Sequence, residues 1–201
     1  SANNNVTIQN TAIEATGFTQ GGVIKIGNDA SNGTLPFALS TTLDQYTTLN
    51  ASQLDLSAGN QHGGIIETSG GTLNLLSSIN AGRGGMWLLD PYDIIIDSTV
   101  AGYINTALNA STNVAISTAN ANNAIGANSV ASISGNGNIS IRSAINASSG
   151  TATLTFTATT IELNADVTTR GAQTYNGDVL LASNSTITST NSNVTITGSI
   201  T

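Results

Sequence analysis

The chain has 201 residues, of which only 7% are charged and 4% aromatic, and its formal net charge is −7. An apolar fraction of 39% with so little charge argues against disorder, and the lack of cysteine excludes disulfides, thiol nucleophiles and cysteine-bound zinc. Because no apolar run is long enough for a transmembrane helix and only four residues are basic, we expect neither membrane insertion nor nucleic-acid binding.

Alternating apolar and polar residues, rich in β-branched side chains, predict short strands along the whole chain. The predicted strands are Val6–Ile8, Val23–Ile26, Leu54–Leu56, Leu73–Leu75, Ile94–Ile96, Val114–Ile116, Ile139–Ile141, Leu154–Phe156, Ile161–Leu163 and Val194–Ile196. Clusters of Gly, Asn and Ser between them favour tight corners.

One stretch departs from this pattern: Val100, Ile104, Ala107 and Leu108 have helical spacing. We predict a short helix near residues 99–109, capped by Ser98 or Thr99 and ended by Asn109.

Four segments share one template of two apolar residues, a polar corner and a third apolar residue. They begin at Leu73, Ile139, Ile161 and Val194. Strand starts at 54, 73, 94 and 114 recur at a spacing of roughly 20 residues, which is typical of a solenoid. We therefore predict an all-β fold, a right-handed parallel β-helix of roughly nine to ten coils that spans residues 1–201 as one continuous segment, with an antiparallel sandwich as the alternative. Because no signal peptide is visible and the sequence stops within an alternating pattern, we interpret it as part of a longer repetitive protein.

One segment is distinctive: Gly84-Gly85-Met86-Trp87-Leu88-Leu89-Asp90-Pro91-Tyr92-Asp93-Ile94-Ile95-Ile96-Asp97. It resembles the Trp-Leu-Leu-Asp-Pro segment of filamentous-haemagglutinin-like exoproteins, the large two-partner-secreted adhesins of Gram-negative bacteria. The coils around it are similar to the same family, from about residue 20 to residue 200, including the Gly-Gly-Val-Ile run at Gly21 and the Gly-Gly-Ile-Ile run at Gly63. The resemblance implies a β-helical shaft, secretion to the cell surface, and a role in adhesion or aggregation. The family's amino-terminal secretion signature and any toxin-like domain are absent from this sequence.

The densest acidic group is Asp90, Asp93 and Asp97, which could form a cation site or a carboxylate pair for glycoside cleavage. We interpret these residues instead as turn caps and a solvated face. The four basic residues (Lys25, Arg83, Arg142 and Arg170) are scattered, and the only histidine, His62, lies in a Gly-rich corner. We therefore expect no catalytic, cofactor-binding or metal-binding residues and no enzymatic activity. A polysaccharide-processing enzyme is the least favoured alternative, and ion binding by Asn28-Asp29 or Asn176-Gly177-Asp178 is treated as a plain turn.

Three further features have a functional and a structural interpretation. The Asn-x-Ser/Thr sequons are about as many as composition gives by chance, and their glycosylation stays open; they begin at Asn5, Asn32, Asn50, Asn109, Asn138, Asn146, Asn184 and Asn193. The alternating threonines from Thr151 to Thr159 could order water on a flat face, but their repetition at 186–190 and 195–197 is loose, so β-propensity explains them. Trp87 is predicted to be a core residue and not a glycan platform.

The strand pattern predicts a solenoid without catalytic residues, and the resemblance implies that it is a shaft segment of a secreted bacterial surface adhesin, acting as a stiff spacer or filament. We expect neighbouring segments or other copies to stack on its ends, because an open strand edge invites pairing. The alternative is a module that binds host or bacterial surface glycans or proteins through one face.

Overall fold

The computed structural model describes residues 5–28, 37–55, 62–118 and 136–201. Within these ranges the protein is mostly β-strand, with one α-helix. The strands before the helix are β1 (Asn5–Ile8), β2 (Ala12–Glu14), β3 (Val23–Ile26), β4 (Ser40–Leu43), β5 (Thr48–Asn50), β6 (Ile65–Gly70), β7 (Thr72–Leu75), β8 (Ser78–Asn80), β9 (Met86–Pro91) and β10 (Ile94–Ile96). After the helix α1 (Ser98–Asn109) come β11 (Asn113–Ser117), β12 (Asn138–Ile141), β13 (Ile145–Ala147), β14 (Leu154–Leu163), β15 (Val167–Thr169), β16 (Gln173–Leu181), β17 (Ile187–Ser189) and β18 (Val194–Ile196).

All pairings between the described strands are parallel, so the antiparallel sandwich is wrong for this part of the chain. The first nine strands come in sets of three, and each strand pairs with the strand at the same place in the next set, whereas β10 pairs with β12 after the helix. This arrangement gives the rows β1-β4-β7, β2-β5-β8 and β3-β6-β9. After the helix, β14 and β16 are long enough to take part in two rows, because the two halves of each strand pair with different neighbours.

The core is built from ladders of apolar side chains that are in register from strand to strand. In one ladder Ile66 is in register with Trp87, Trp87 with Val114, and Val114 with Leu154, and all four side chains are buried. Two residues further along the strands lies the next ladder of inward-pointing side chains. It includes Phe156 of β14 and Tyr175 of β16, which are in register and have ring centroids 5.1 Å apart. Alternate residues point away from the core, so Thr, Ser and Asn are sufficient on the outer positions.

Close approach of neighbouring corners explains the Gly-Gly pairs that precede β3, β6 and β9. A Cβ atom on Gly64 would overlap the backbone carbonyl oxygens of Gly22 and Ala51, which leaves no room for any other residue. The glycines therefore permit the chain to stack closely upon itself immediately before these strands.

Nine of the ten predicted strands lie within observed strands. The exception is Leu54–Leu56: Leu54 and Asp55 are not in a strand, and Leu56 lies outside the described residues.

The predicted repeat was assigned to the wrong residues, because Leu73, Ile94 and Val114 are not in register with one another. A spacing of roughly 20 residues does connect true register partners, such as Leu154 with Gln173 and Gln173 with Val194.

The fourth copy of the sequence template is also in a different place. The segments that begin at Leu73, Ile139 and Ile161 each cross from one strand row to the next, through β7–β8, β12–β13 and β14–β15. Val194 instead lies in β18, in register with Gln173, and the third apolar residue, Ile200, forms a bridge with Val179. The template therefore identifies a corner flanked by apolar residues, but it does not show which strands of the fold that corner connects.

Among the residues that the structure describes, the longest row of paired strands, β3-β6-β9-β11-β14-β16-β18, has seven members, compared with the nine to ten coils expected from length. At the usual strand spacing such a row extends about 30 Å. The row has fewer strands than expected because some connections are longer than the average repeat. Val114 and Leu154, for example, are neighbours in the row although 39 residues separate them in the chain.

The helix prediction is confirmed, with α1 running from Ser98 to Asn109. Its cap, however, is Asp97 and not Ser98 or Thr99. The Asp97 Oδ1 accepts hydrogen bonds from the backbone N–H groups of Thr99 (2.9 Å) and Val100 (3.0 Å), and a carboxylate suits the positive end of the helix dipole. The buried face of α1 packs against β8, β11 and β13, so the helix covers the core where a strand would otherwise lie.

Candidate functional site

The three aspartates of the distinctive segment have different environments. Asp93 and Asp97 are exposed and accept backbone hydrogen bonds, Asp93 from Asn136 and Asn138 and Asp97 at the start of α1, as expected for turn caps. Asp90 does not fit the prediction of a solvated face, because it is only 1% exposed. It belongs to a buried polar group on the outer side of β6 and β9.

Strand register brings this group together. Trp87, Leu89 and Ile66 point into the core, so Asp90 and Glu67 lie on the opposite, outer side of their strands. Ser69 is two residues after Glu67 on the same side of β6, and it is in register with Asp90 of β9.

Lys25 of β3 is in register with Glu67 on the other side of β6. Glu67 is 3% exposed and Ser69 is fully buried. We call Asn28, Glu67, Ser69 and Asp90 the polar cluster, and Lys25 lies at its margin.

Hydrogen bonds between side chains connect the members of the polar cluster, and one of its buried atoms is unpaired. Ser69 Oγ donates to Glu67 Oε1 at 3.0 Å, and Asn28 Nδ2 donates to Asp90 Oδ2 at 3.4 Å. The other end of the same amide, Asn28 Oδ1, is buried and has no hydrogen-bond partner. Asn28 follows Gly27, whose φ of +81° redirects the chain after β3, and a Cβ on Gly27 would overlap the Ser69 carbonyl oxygen.

An aromatic pair borders the polar cluster. The rings of Phe37 and Tyr92 are stacked with centroids 5.0 Å apart and an interplanar angle of 21°. Burial, together with the negative charge of Asp90, raises the pKa of Tyr92 above its ordinary value. Asp90 is therefore close enough to the Tyr92 phenol to affect it electrostatically.

Sequence reasoning did not find Asn28, Glu67 or Ser69 as a group. A signal was present, since Lys25 and Glu67 occupy the same place in the two segments that begin with Gly-Gly and two apolar residues. Aligning those segments would have placed opposite charges on adjacent strands. Trp87 is buried, as predicted, and its Nε1 donates a hydrogen bond of 3.1 Å to Thr68 Oγ1.

The other sequence candidates are dispersed over the surface. His62 is exposed before β6, and Arg83, Arg142 and Arg170 are exposed at three separate corners. Among the described residues no group of three or more His, Cys, Asp or Glu side chains is placed to hold a metal ion. Asn176, Gly177 and Asp178 lie within β16 and not in a turn, so that interpretation is wrong; Asp178 Oδ1 accepts a hydrogen bond of 2.9 Å from the backbone N–H of Ser199, 21 residues later. Asp29 lies outside the described residues.

The threonines of β14 do repeat on neighbouring strands, more regularly than expected from sequence. Thr155 is in register with Thr174, and Thr174 with Thr195, but the next position pairs Thr157 with Asn176. Of the sequons, Asn50 and Asn138 are partly buried and Asn32 lies outside the described ranges; the others are exposed, at Asn5, Asn109, Asn146, Asn184 and Asn193.

No family model matches the chain, and no curated protein or solved structure is detectably similar to it. No helix in the described residues has the length and apolar character that crossing a membrane requires.

Proposed function

We propose that this chain is a β-helical shaft segment of a secreted, filamentous-haemagglutinin-like bacterial surface adhesin, and that it acts as a stiff, non-enzymatic spacer. The observation that carries the proposal is the seven-strand parallel row, in which apolar side chains repeat at the same inward positions. In a right-handed β-helix such rows place the backbone hydrogen bonds along the long axis. Bending the shaft would require many of these bonds and core contacts to open together.

The two outer strand edges support stacking as the way in which such a shaft is extended. At the β1–β3 edge a depression of about 490 Å³ is lined by Val6, Ile8, Ile13 and Ile24. At the opposite edge Val194 and Ile200 are 38% and 57% exposed. Apolar groups at an unpaired edge favour a further strand, supplied by a neighbouring segment of a longer protein or by another copy.

Single-molecule force spectroscopy tests the spacer function. With the chain held at its two ends, we expect it to resist forces that unfold a small helical domain placed in the same tether. We then expect extension in steps of about 70 Å, since one repeat of roughly 20 residues has that contour length. A single low-force event that releases the whole chain would contradict a shaft.

Electron microscopy over a range of concentrations tests the stacking. Long uniform fibres would mean that copies associate end to end, and single particles at every concentration would assign both edges to neighbouring segments of the same chain.

A glycan- or protein-binding module is the second candidate, favoured by the exposed aromatic residues Phe18 (70% exposed) and Tyr46 (67% exposed). Binding of the purified chain to glycan arrays and to host cells separates the two functions. A spacer predicts no binding above background, whereas a module predicts binding that is lost in Phe18→Ser or Tyr46→Ser.

A further inference from the structure

We propose that copies of this chain join head to tail, with the β18 edge of one copy paired in parallel with the β3 edge of the next. This inference rests on the proposed shaft function and adds the partner, the polarity and the register of the junction. The strand rows of one copy would then continue into the next copy without a break.

The longest row carries the first step, because its two ends are complementary. Among the described residues, β3 and β18 are the first and last strands of this row. Following the register along the row leads from Ile24 to Val194, and from Ile26 to Ile196, always at inward-pointing positions. A second copy placed one strand spacing beyond β18 would set its Ile24 against Val194 and its Ile26 against Ile196. Both apolar ladders would be extended.

The strands beside this row end in the same way. Ile13 of β2 and Ile187 of β17 both pack against the core, at the two ends of the rows that α1 separates between β8 and β13. At the third place in each coil, Ile8 of β1 lies at one end, and Ile200, which bridges Val179, lies at the other. Because the chain passes through the three places in the same order at both ends, one translation along the rows brings all three together.

The two edges also suit each other in shape and charge. The depression at the β1–β3 edge would receive the exposed apolar side chains of Val194 and Ile200. The charged residues among its lining, Glu14 and Lys25, occupy outer positions of their strands and so lie outside the junction core. The sequence from 179 to 201 contains no charged residue, so the junction requires no charge to be buried on that side.

The order of the strands fixes the polarity of the junction. Two copies that met through their β3 edges would be related by a twofold axis, which would make the strands antiparallel and would exchange the places of β1 and β2. Only a head-to-tail contact keeps all three places matched. Each such contact leaves one β3 edge and one β18 edge for further copies, so the assembly is open-ended.

Cysteine cross-linking tests the polarity and the register together, because the chain contains no cysteine of its own. Val23 and Asn193 precede Ile24 and Val194, and both are exposed. The proposed register sets Val23 and Asn193 of adjacent copies about 4.8 Å apart, the usual strand spacing, which a disulfide can span.

The variants Val23→Cys and Asn193→Cys are mixed, oxidised mildly and analysed by mass spectrometry, which distinguishes the mixed dimer from the two homodimers. We expect the mixed dimer to exceed either homodimer by about tenfold or more, because association holds only the two different thiols side by side.

A matched pair of substitutions on β18 tests the contact itself. Ile196→Asp places a charge at the inward position of the junction and should abolish the rise in sedimentation coefficient with concentration that we expect of the unmodified chain. Thr195→Asp places the same charge on the outer side and should leave that rise unchanged. Circular dichroism is measured first, and the cross-linking decides the matter if Ile196→Asp does not fold.

Two results would overturn the inference: a mixed dimer no more abundant than the homodimers, or association that a folded Ile196→Asp variant retains. Failure of the junction is distinguishable from failure of the shaft function, because force spectroscopy is performed on single chains. A chain that resists force but gives no mixed dimer would overturn the junction and leave the spacer function standing.

Discussion

The Tyr175 hydroxyl donates a hydrogen bond of 2.7 Å to Gln173 Oε1, and both side chains are completely buried. Gln173 Nε2 in turn donates to Thr169 Oγ1 at 2.9 Å and to the Thr188 carbonyl oxygen at 2.7 Å. Burial raises the pKa of Tyr175, so its hydroxyl remains a donor. This network links β15, β16 and β17 at an otherwise apolar position, which favours one register over a slipped one.

Replacement of one partner in this network should be costly, and replacement of both should be less so. Gln173→Leu leaves the buried Tyr175 hydroxyl without its acceptor, and we expect a loss of about 1–3 kcal/mol in the free energy of unfolding. In the double variant Gln173→Leu with Tyr175→Phe no hydroxyl is left unpaired, so part of that loss should be recovered. Urea unfolding of the two single variants and the double variant completes the cycle, and strictly additive losses would contradict the coupling.

Acid should destabilise the protein through carboxylates that join neighbouring strands or corners. The backbone N–H of Thr186 donates to Asp166 Oδ1 at 2.7 Å, and this bond and a side-chain bond from Thr186 lower the pKa of Asp166 below its ordinary 3.8. The hydrogen bond from Ser140 Oγ lowers the pKa of Glu162 in the same way, helped by Asn164. For Asp44, burial acts in the opposite direction, but bonds from Thr47 and backbone groups outweigh it and lower its pKa.

The sign of the pH dependence follows from these shifts. A carboxyl whose pKa is lower in the folded state contributes stability that is present above its unfolded pKa and lost as the pH falls through its folded pKa. Stability should therefore decline as the pH falls below about 4, and Asp166→Asn should make that decline shallower. Urea unfolding of the unmodified chain and of Asp166→Asn, measured between neutral and acidic pH, checks this, and an equally steep decline in the two would contradict it.

The sequence predicts local structure well here because local structure depends on neighbouring residues. Alternation located most strands, and helical spacing located α1, including its buried Ile104. Strands of Thr, Ser and Gly, such as β4 with Thr41 and Thr42, lack the apolar alternation and were missed.

Register and burial depend on residues distant in sequence, and that is where prediction failed. Alternation correctly places Asp90 on the outer side of β9, but an outer position is solvated only if no other part of the chain covers it. Here Asn28, 62 residues earlier, lies against Asp90. Connections of unequal length likewise hide the true register partners, as for Val114 and Leu154.

The observed helix cap gives a discriminating prediction. Asp97→Ala removes the acceptor for Thr99 N and Val100 N, and we expect the free energy of unfolding to fall by about 1 kcal/mol. Ser98→Ala, at a position that the sequence alone favoured as the cap, should change it by much less. Thermal or urea unfolding of the two variants compares them directly, and a larger effect at Ser98 would mean that Asp97 is not the functional cap.

Two glycine-to-alanine substitutions separate close packing from intrinsic propensity. On Gly64 a methyl group would overlap the carbonyl oxygens of Gly22 and Ala51, both backbone atoms that cannot move without separating adjacent corners. We expect Gly64→Ala to destabilise the protein strongly, by more than about 3 kcal/mol, or to prevent folding. Gly102 lies in α1 with no neighbouring atom near the added methyl, so Gly102→Ala should stabilise the protein by about 0.5–1 kcal/mol. Unfolding curves for both variants test the close stacking of corners on which the parallel rows depend. A mild effect at Gly64 would contradict that stacking, since the same methyl group is added in both cases and only the surroundings differ.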